Sequence, residues 1–141
     1  MDETAAIKRI LPNDAAAEQA VVGALIRDND MIPVAVEIVS ADDFYSPKYG
    51  KIFETIVQMY DSGVSVDILT LRDKLMEKSV PEEYYSLESL RDLLASVPTS
   101  AHMKNYAGIV SKKATLRKMI KASDEIAGAC YAENGGGGAE G

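Results

Sequence analysis

The chain has no tryptophan, only two phenylalanines and a single cysteine among its 141 residues. With so few large rings, a core must be assembled from Leu, Ile, Val, Ala, Met and the seven tyrosines. One cysteine, Cys130, excludes an internal disulfide and suits a reducing compartment. It reads as a small apolar residue on a helix, with nothing nearby to activate a thiol. No apolar run approaches the roughly 20 residues that a membrane span needs. The opening MDETAAIKRI has no apolar stretch like that of a secretory signal.

The usual marks of chemistry are also missing. There is no G-x-x-x-x-G-K-[ST] loop to cradle a nucleotide phosphate, no G-x-G-x-x-G and no Cys-x-x-Cys. The only histidine, His102, has no second ligand type placed beside it, so a surface or capping role is expected rather than metal binding. The paired acids Asp42-Asp43 and Glu82-Glu83 lie beside loop signals and read as solvated or capping carboxylates. No catalytic residue, cofactor site or metal site is expected. These absences favour a binding or assembly module over an enzyme.

Charge is unevenly distributed. The net charge is −7. Residues 1–100 hold nine Lys or Arg against eighteen Asp or Glu, a net of −9. Residues 101–121 hold six basic residues and no acid. Lys112, Lys113, Arg117, Lys118 and Lys121 form the densest part of this basic stretch. It reads either as a solvated helix face or as a patch for an acidic partner or nucleic acid.

What is present is helical. Leu11-Pro12 ends a loose arm, and Asn13 or Asp14 can cap AAAEQAVVGALIRDN, whose many small residues allow close approach by other helices. Pro33 suits the first turn of a short helix over about Ile32 to Val39. Ser46 as N-cap and Pro47 as first helical residue open the best-marked helix, and Gly63 stands where a left-handed residue ends it. Phe44 and Tyr45 should pin the preceding corner into the core. Val64, Val66 and Ile68 alternate too briefly to support a sheet. Asp67 and Ser86 cap two further helices. From Ala101 to about Ala132 the chain reads as one helix, far longer than is usual in a globular domain, and ENGGGGAEG beyond it reads as unable to hold a helix, as a linker or a loop. The fold class is all-α: an arm at 1–12, a helical head of about five helices at 13–100, a long helix at 101–132 and a glycine-rich linker at 133–141. The expected head core is Val21, Leu25, Phe44, Ile52, Phe53, Ile56, Leu71, Leu90 and Leu94.

Four segments, LPNDAAAEQAVVGAL, ADDFYSPKYGKIFETIVQMYDSG, VDILTL and SVPTSAHMKNYAGIVSKKATLRKMI, resemble in order and spacing the N-terminal domain of bacterial replicative DnaB-type helicases. The resemblance covers about residues 10–132. It implies a helical head followed by the first arm of an antiparallel hairpin, whose packing between subunits builds the collar of a hexameric ring. That collar is a docking platform for the C-terminal domain of primase and, in some members, for a loader. ATP and magnesium are implied only for a motor domain outside this chain, DNA only for the full ring, and the bacterial cytoplasm as location, with no membrane. The chain is expected to stop in the hairpin loop, before the returning helix. It departs from the family pattern at VPEEYYS, where a glycine-containing turn is common, at His102, where Asn is usual, and at Tyr49, where His is common.

On the long helix Ile109, Leu116, Ile120, Ile126 and Tyr131 fall on one stripe. By Ile120 the helix has climbed on the order of 30 Å at 1.5 Å per residue, so the head cannot cover its far end. These five are the expected subunit-interface residues, with a dimer or the hexamer collar as the assembly. Alternative readings are a stand-alone paralogue that binds the helicase or primase, and a nucleic-acid-binding helical protein that uses the basic helix.

Overall fold

The computed structural model describes residues 10–140, with side chains as far as Asn134. Most of the expected amino-terminal arm, residues 1–9, lies outside the described residues, as do the side chains of the glycine-rich stretch beyond Asn134. Among the described residues there are six α-helices and no strand: α1 (Ala15–Arg27), α2 (Ile32–Val36), α3 (Pro47–Asp61), α4 (Ile68–Met76), α5 (Leu87–Ala95) and α6 (Met103–Glu140). The chain is all-α, with five helices in a head and one long helix after it.

The helix starts follow their capping residues. Asp14 accepts from the Ala17 amide at 3.0 Å, and Ser46 from the Tyr49 amide at 3.3 Å with Pro47 as first helical residue. Asp67 and Thr70 exchange bonds in a capping box, each at 2.9 Å, and Ser86 accepts from the Ser89 amide at 3.2 Å. Gly63, at φ 75°, closes α3 in the left-handed conformation expected of it. Two boundaries differ from expectation. α2 stops at Val36, where the amides of Ile38 and Val39 both turn back to the Ala35 carbonyl at 2.9 Å. α6 runs past Ala132 to Glu140. This corrects the reading of ENGGGGAEG as a linker: the helix continues through its four glycines although each costs about 1 kcal/mol relative to alanine.

α1 is the axis of the head. It is buried from Ala20 to Ile26 on every side, as a helix apolar all round must be, and it lies against α3, α5 and α6. Its small residues make this possible. At Gly23 a β-carbon would collide with the Leu93 carbonyl oxygen and meet Val97 Cγ2 at 2.9 Å. The interior contains the expected Val21, Leu25, Ile52, Phe53, Ile56, Leu71 and Leu90, and Phe44 joins it with its ring centroid 4.9 Å from that of Phe53. Leu94 is a correction. It is only half-buried at the core's edge, and Leu93 takes the interior place, because α5 turns Leu90, Leu93 and then Val97 inward. Tyr45 is a second correction. It stays outside at 44% exposure, while its neighbour Phe44 alone anchors the corner.

The short alternating stretch forms no strand. Asn29 holds it instead: its side chain accepts from the Val66 amide at 2.8 Å and donates to the Val66 carbonyl at 3.0 Å.

Candidate functional site

The feature that sets this molecule apart is α6, whose 38 residues extend about 57 Å at 1.5 Å per residue. Its first turns are ordinary core helix. Met103, Ala107, Val110 and Ala114 are buried, at the spacing of one helix face, and Tyr106 packs beside them. The alanines bring α6 close to α1.

The next turn fastens the helix to the head. Arg117 donates from Nη1 to the Pro12 carbonyl at 2.8 Å and from Nη2 to the Asp43 carbonyl at 2.6 Å. Its guanidinium lies 5.4 Å over the Tyr45 ring, a cation–π arrangement. Lys118 reaches Asp43 Oδ1 at 3.4 Å, with its side chain still 73% exposed, so that pair is a weak one. Asp43 is held in turn by the Ser40 amide, which donates to Oδ2 at 2.9 Å.

The corner that receives Arg117 is built on a buried acid. Glu18, 1% exposed, accepts from the Tyr45 amide at 2.8 Å and the Ser46 amide at 3.0 Å. These amides lead into α3, so the carboxylate sits where a helix start favours negative charge. Burial, and then the Glu18 carboxylate, push the Tyr49 phenol above its ordinary range.

Beyond the clamp the helix is bare. Every residue from Lys118 to Asn134 is exposed. An open groove of about 630 Å³ marks where α6 leaves the head, between Ile120 and Lys121 on one side and Leu11, Phe44 and Tyr45 on the other. Of the expected interface residues, Ile109, Ile120, Ile126 and Tyr131 are exposed and Leu116 is half-buried. Counted at about 100° per residue, their stripe is centred roughly 150° around the helix from the buried face. Ile126 and Tyr131 stand clear of the head, while Ile120 lines the groove that faces Leu11, Phe44 and Tyr45.

The basic patch needs correction. Arg117 is a structural clamp and not a free cation, and Lys118 is paired with Asp43. Lys112 and Lys121 are exposed and Lys113 is half-buried. Sequence reasoning missed the clamp because the Pro12 and Asp43 carbonyls carry no side-chain signature. The one available signal was an arginine amid lysines, since a planar fork suits paired acceptors better than an ammonium does.

Among the described residues no group of His, Cys, Asp or Glu could hold a metal ion, and no helix is long and apolar enough to cross a membrane. His102 is exposed and edge-on to Tyr106 at 6.4 Å. Cys130 is a free, exposed thiol.

The model of the DnaB-like helicase N terminal domain family matches residues 10–112. The replicative DNA helicase DnaB of Geobacillus stearothermophilus is 37% identical over 120 residues, 85% of this chain and 26% of that protein. That of Leifsonia xyli subsp. xyli is 33% identical over 128 residues, 91% of this chain and 28% of that protein. The chain thus spans about a quarter of the length of these curated relatives. The crystal structure of the N-terminal domain of DnaB helicase from Mycobacterium tuberculosis matches with a TM-score of 0.83 at 31% identity, over 86% of this chain and 85% of that one. The N-terminal domain of DnaB helicase from Helicobacter pylori, described with its interactions with primase, shares the fold at a TM-score of 0.71 and 20% identity, over 82% of this chain and 90% of that one. With the family match covering the head and the buried first turns of α6, this chain belongs to the DnaB-like helicase N-terminal domain family.

Proposed function

We propose that this chain is the assembly and docking part of a replicative DNA helicase, with no chemistry of its own. The observation that carries this reading is the exposed apolar stripe on the far half of α6, at Ile120, Ile126 and Tyr131, which the head leaves uncovered. Such a stripe is stable only against another helix, and burial of each of Ile120 and Ile126 would contribute about 1.5–3 kcal/mol. Copies joined through α6, as a dimer or in a hexameric ring, would bury it. A ring of such copies would offer a shared surface to the C-terminal domain of primase, and the Helicobacter pylori domain of the same fold is described with primase. A helicase loader is a further candidate partner.

In this reading ATP, magnesium and DNA belong to a motor elsewhere in a longer polypeptide working in the bacterial cytoplasm. The chain's own residues do not fit a nucleotide, since the sequence has no phosphate-cradling loop, and no step is assigned to one. Sedimentation velocity across a concentration series tests the assembly role: a shift from monomer to larger species is expected. Co-elution with the primase C-terminal domain tests docking, with a weak complex expected from an isolated head. Failure of a full hexameric helicase carrying this domain to bind primase would overturn the docking role.

A further inference from the structure

We infer that the groove beside the Arg117 clamp receives the chain's own amino terminus: residues 7–9, leading into Ile10 and Leu11, lie extended along α6 with Arg9 against Asp124 and Glu125. The groove holds about 630 Å³ between α6 and the corner before α3. Its apolar wall is Leu11, Phe44, Tyr45 and Ile120, and its far end is acidic, with Asp124 and Glu125. Among the described residues neither of these two carboxylates has an ion-pair partner.

The chain enters the groove at one end and heads along it. The Pro12 carbonyl is held by Arg117 Nη1 at 2.8 Å, and the Leu11 carbonyl accepts from Asn13 Nδ2 at 2.9 Å. Leu11 precedes a proline, which disfavours helical backbone there and sets the chain extended. Pro12 is level with Arg117, whereas Leu11 already lines the groove that continues to Glu125. The residues before Leu11 are therefore aimed along α6 towards its carboxyl end.

The lengths match. At about 3.3 Å per extended residue, Arg9 lies roughly 10 Å from Pro12. Asp124 lies roughly 10 Å beyond Arg117 at 1.5 Å per helical residue, so Arg9 comes level with it, and a planar fork suits neighbouring carboxylates. Lys121, the remaining cation of the groove, comes level with Ile10, short of Arg9. By the same count Ile7 comes level with Gly128, each roughly 16 Å on. Alternation along an extended chain puts Ile7, Arg9 and Leu11 on the groove side and Lys8 and Ile10 outside. Ile10 is indeed 65% exposed, against 37% for Leu11. A segment tethered at Pro12 meets the groove at the high effective concentration of a short linker, an advantage that no separate peptide has. The contact needs no second copy, so it stands or falls apart from the assembly reading.

A disulfide in the full chain tests the seating. Ile7→Cys with Gly128→Cys, in a chain carrying Cys130→Ala, sets two thiols level on the groove side. A cysteine fits at 128, since nothing lies within 4 Å of a β-carbon there. Ile7→Cys with native Cys130 is the control, because Cys130 is only two residues on but about 200° round the helix. Under diamide the 7–128 pair is expected to close within one chain at least tenfold faster than the 7–130 pair, at a rate independent of protein concentration. Trypsin, which cuts after Lys8 and Arg9, gives a second readout on the native sequence. Asp124→Asn with Glu125→Gln is expected to speed cleavage at these two positions at least tenfold, with the melting of the head unchanged. Equal closure at 128 and 130 would show a tethered but unseated amino terminus and overturn the inference, as would equal cleavage of the two chains. Closure that yields mainly dimers would give the groove to the amino terminus of a second copy and overturn the contact within one chain.

Discussion

Arg117 and Asp43 are 74 residues apart in sequence and 2.6 Å apart in space, joined by a bond from the guanidinium Nη2 to the backbone carbonyl. Through this contact and its companion at Pro12, the last clamped turn of α6 is tied to the corner before α3. The free arm begins one residue later. The direction in which the arm leaves the head therefore depends on a side chain that the charge pattern alone would assign to solvent.

Arg117→Ala is expected to destabilise the head by about 1.5–3 kcal/mol, the range for hydrogen bonds to a charged group. Arg117→Lys should recover only part of this, because an ammonium can neither fork to two carbonyls nor stack flat on Tyr45. Urea unfolding of the three proteins gives the comparison. Equal stability of Arg117→Lys and wild type would show the charge, not the fork, to be what holds.

Two glycines should respond oppositely to alanine. Gly23→Ala drives a methyl into the Leu93 carbonyl and should cost about 1–3 kcal/mol, as overpacking does. Gly108 has nothing within 4 Å of its would-be β-carbon and is helical, so Gly108→Ala should stabilise by about 0.5–1 kcal/mol. Thermal melts of both variants decide it, and a loss at Gly108 would mean that α6 needs flexibility there.

The head and the arm should come apart in mutation. Phe53→Ala removes a 2% exposed ring and is expected to cost about 3–5 kcal/mol. Ile120→Ser with Ile126→Ser should leave the melting of the head nearly unchanged and weaken self-association measured by sedimentation. If the isoleucine pair melts the head as severely as Phe53→Ala, α6 is an ordinary core helix.

Glu54 should report on pH. Partial burial raises its pKa, but the hydrogen bonds and charges of Lys51 and Lys78 outweigh this, and the net displacement is downward. A carboxylate with a depressed folded pKa contributes stability above its unfolded pKa of about 4.3, and loses it as pH falls through the folded value. Glu54→Gln should therefore be less stable than wild type at neutral pH and converge with it in strong acid. The effect is small, because the pairs remain open to solvent on one side, at 26–40% side-chain exposure. A stability difference that widens on acidification would reverse the sign.

The sequence by itself determined the elements and the family. Asp14, Ser46, Asp67 and Ser86 act on amides three residues away, so their caps are local chemistry and were legible. Gly63 and Pro47 act through their own backbone dihedrals, and the apolar spacing around Phe53 follows the helix period. Fine choices between neighbours were not legible. Whether Leu93 or Leu94 faces inward depends on how α5 rotates against Gly23, and whether Phe44 or Tyr45 enters the core depends on how Glu18 holds the corner. Only the tertiary structure decided these, and it alone turned Arg117 from one of a run of cations into a clamp. Hydrogen bonds to distant backbone carbonyls depend on where the chain returns in space. It also established that the head leaves the far end of the α6 stripe, at Ile126 and Tyr131, uncovered. Periodicity defines a stripe, but only packing shows which side of the helix is already covered.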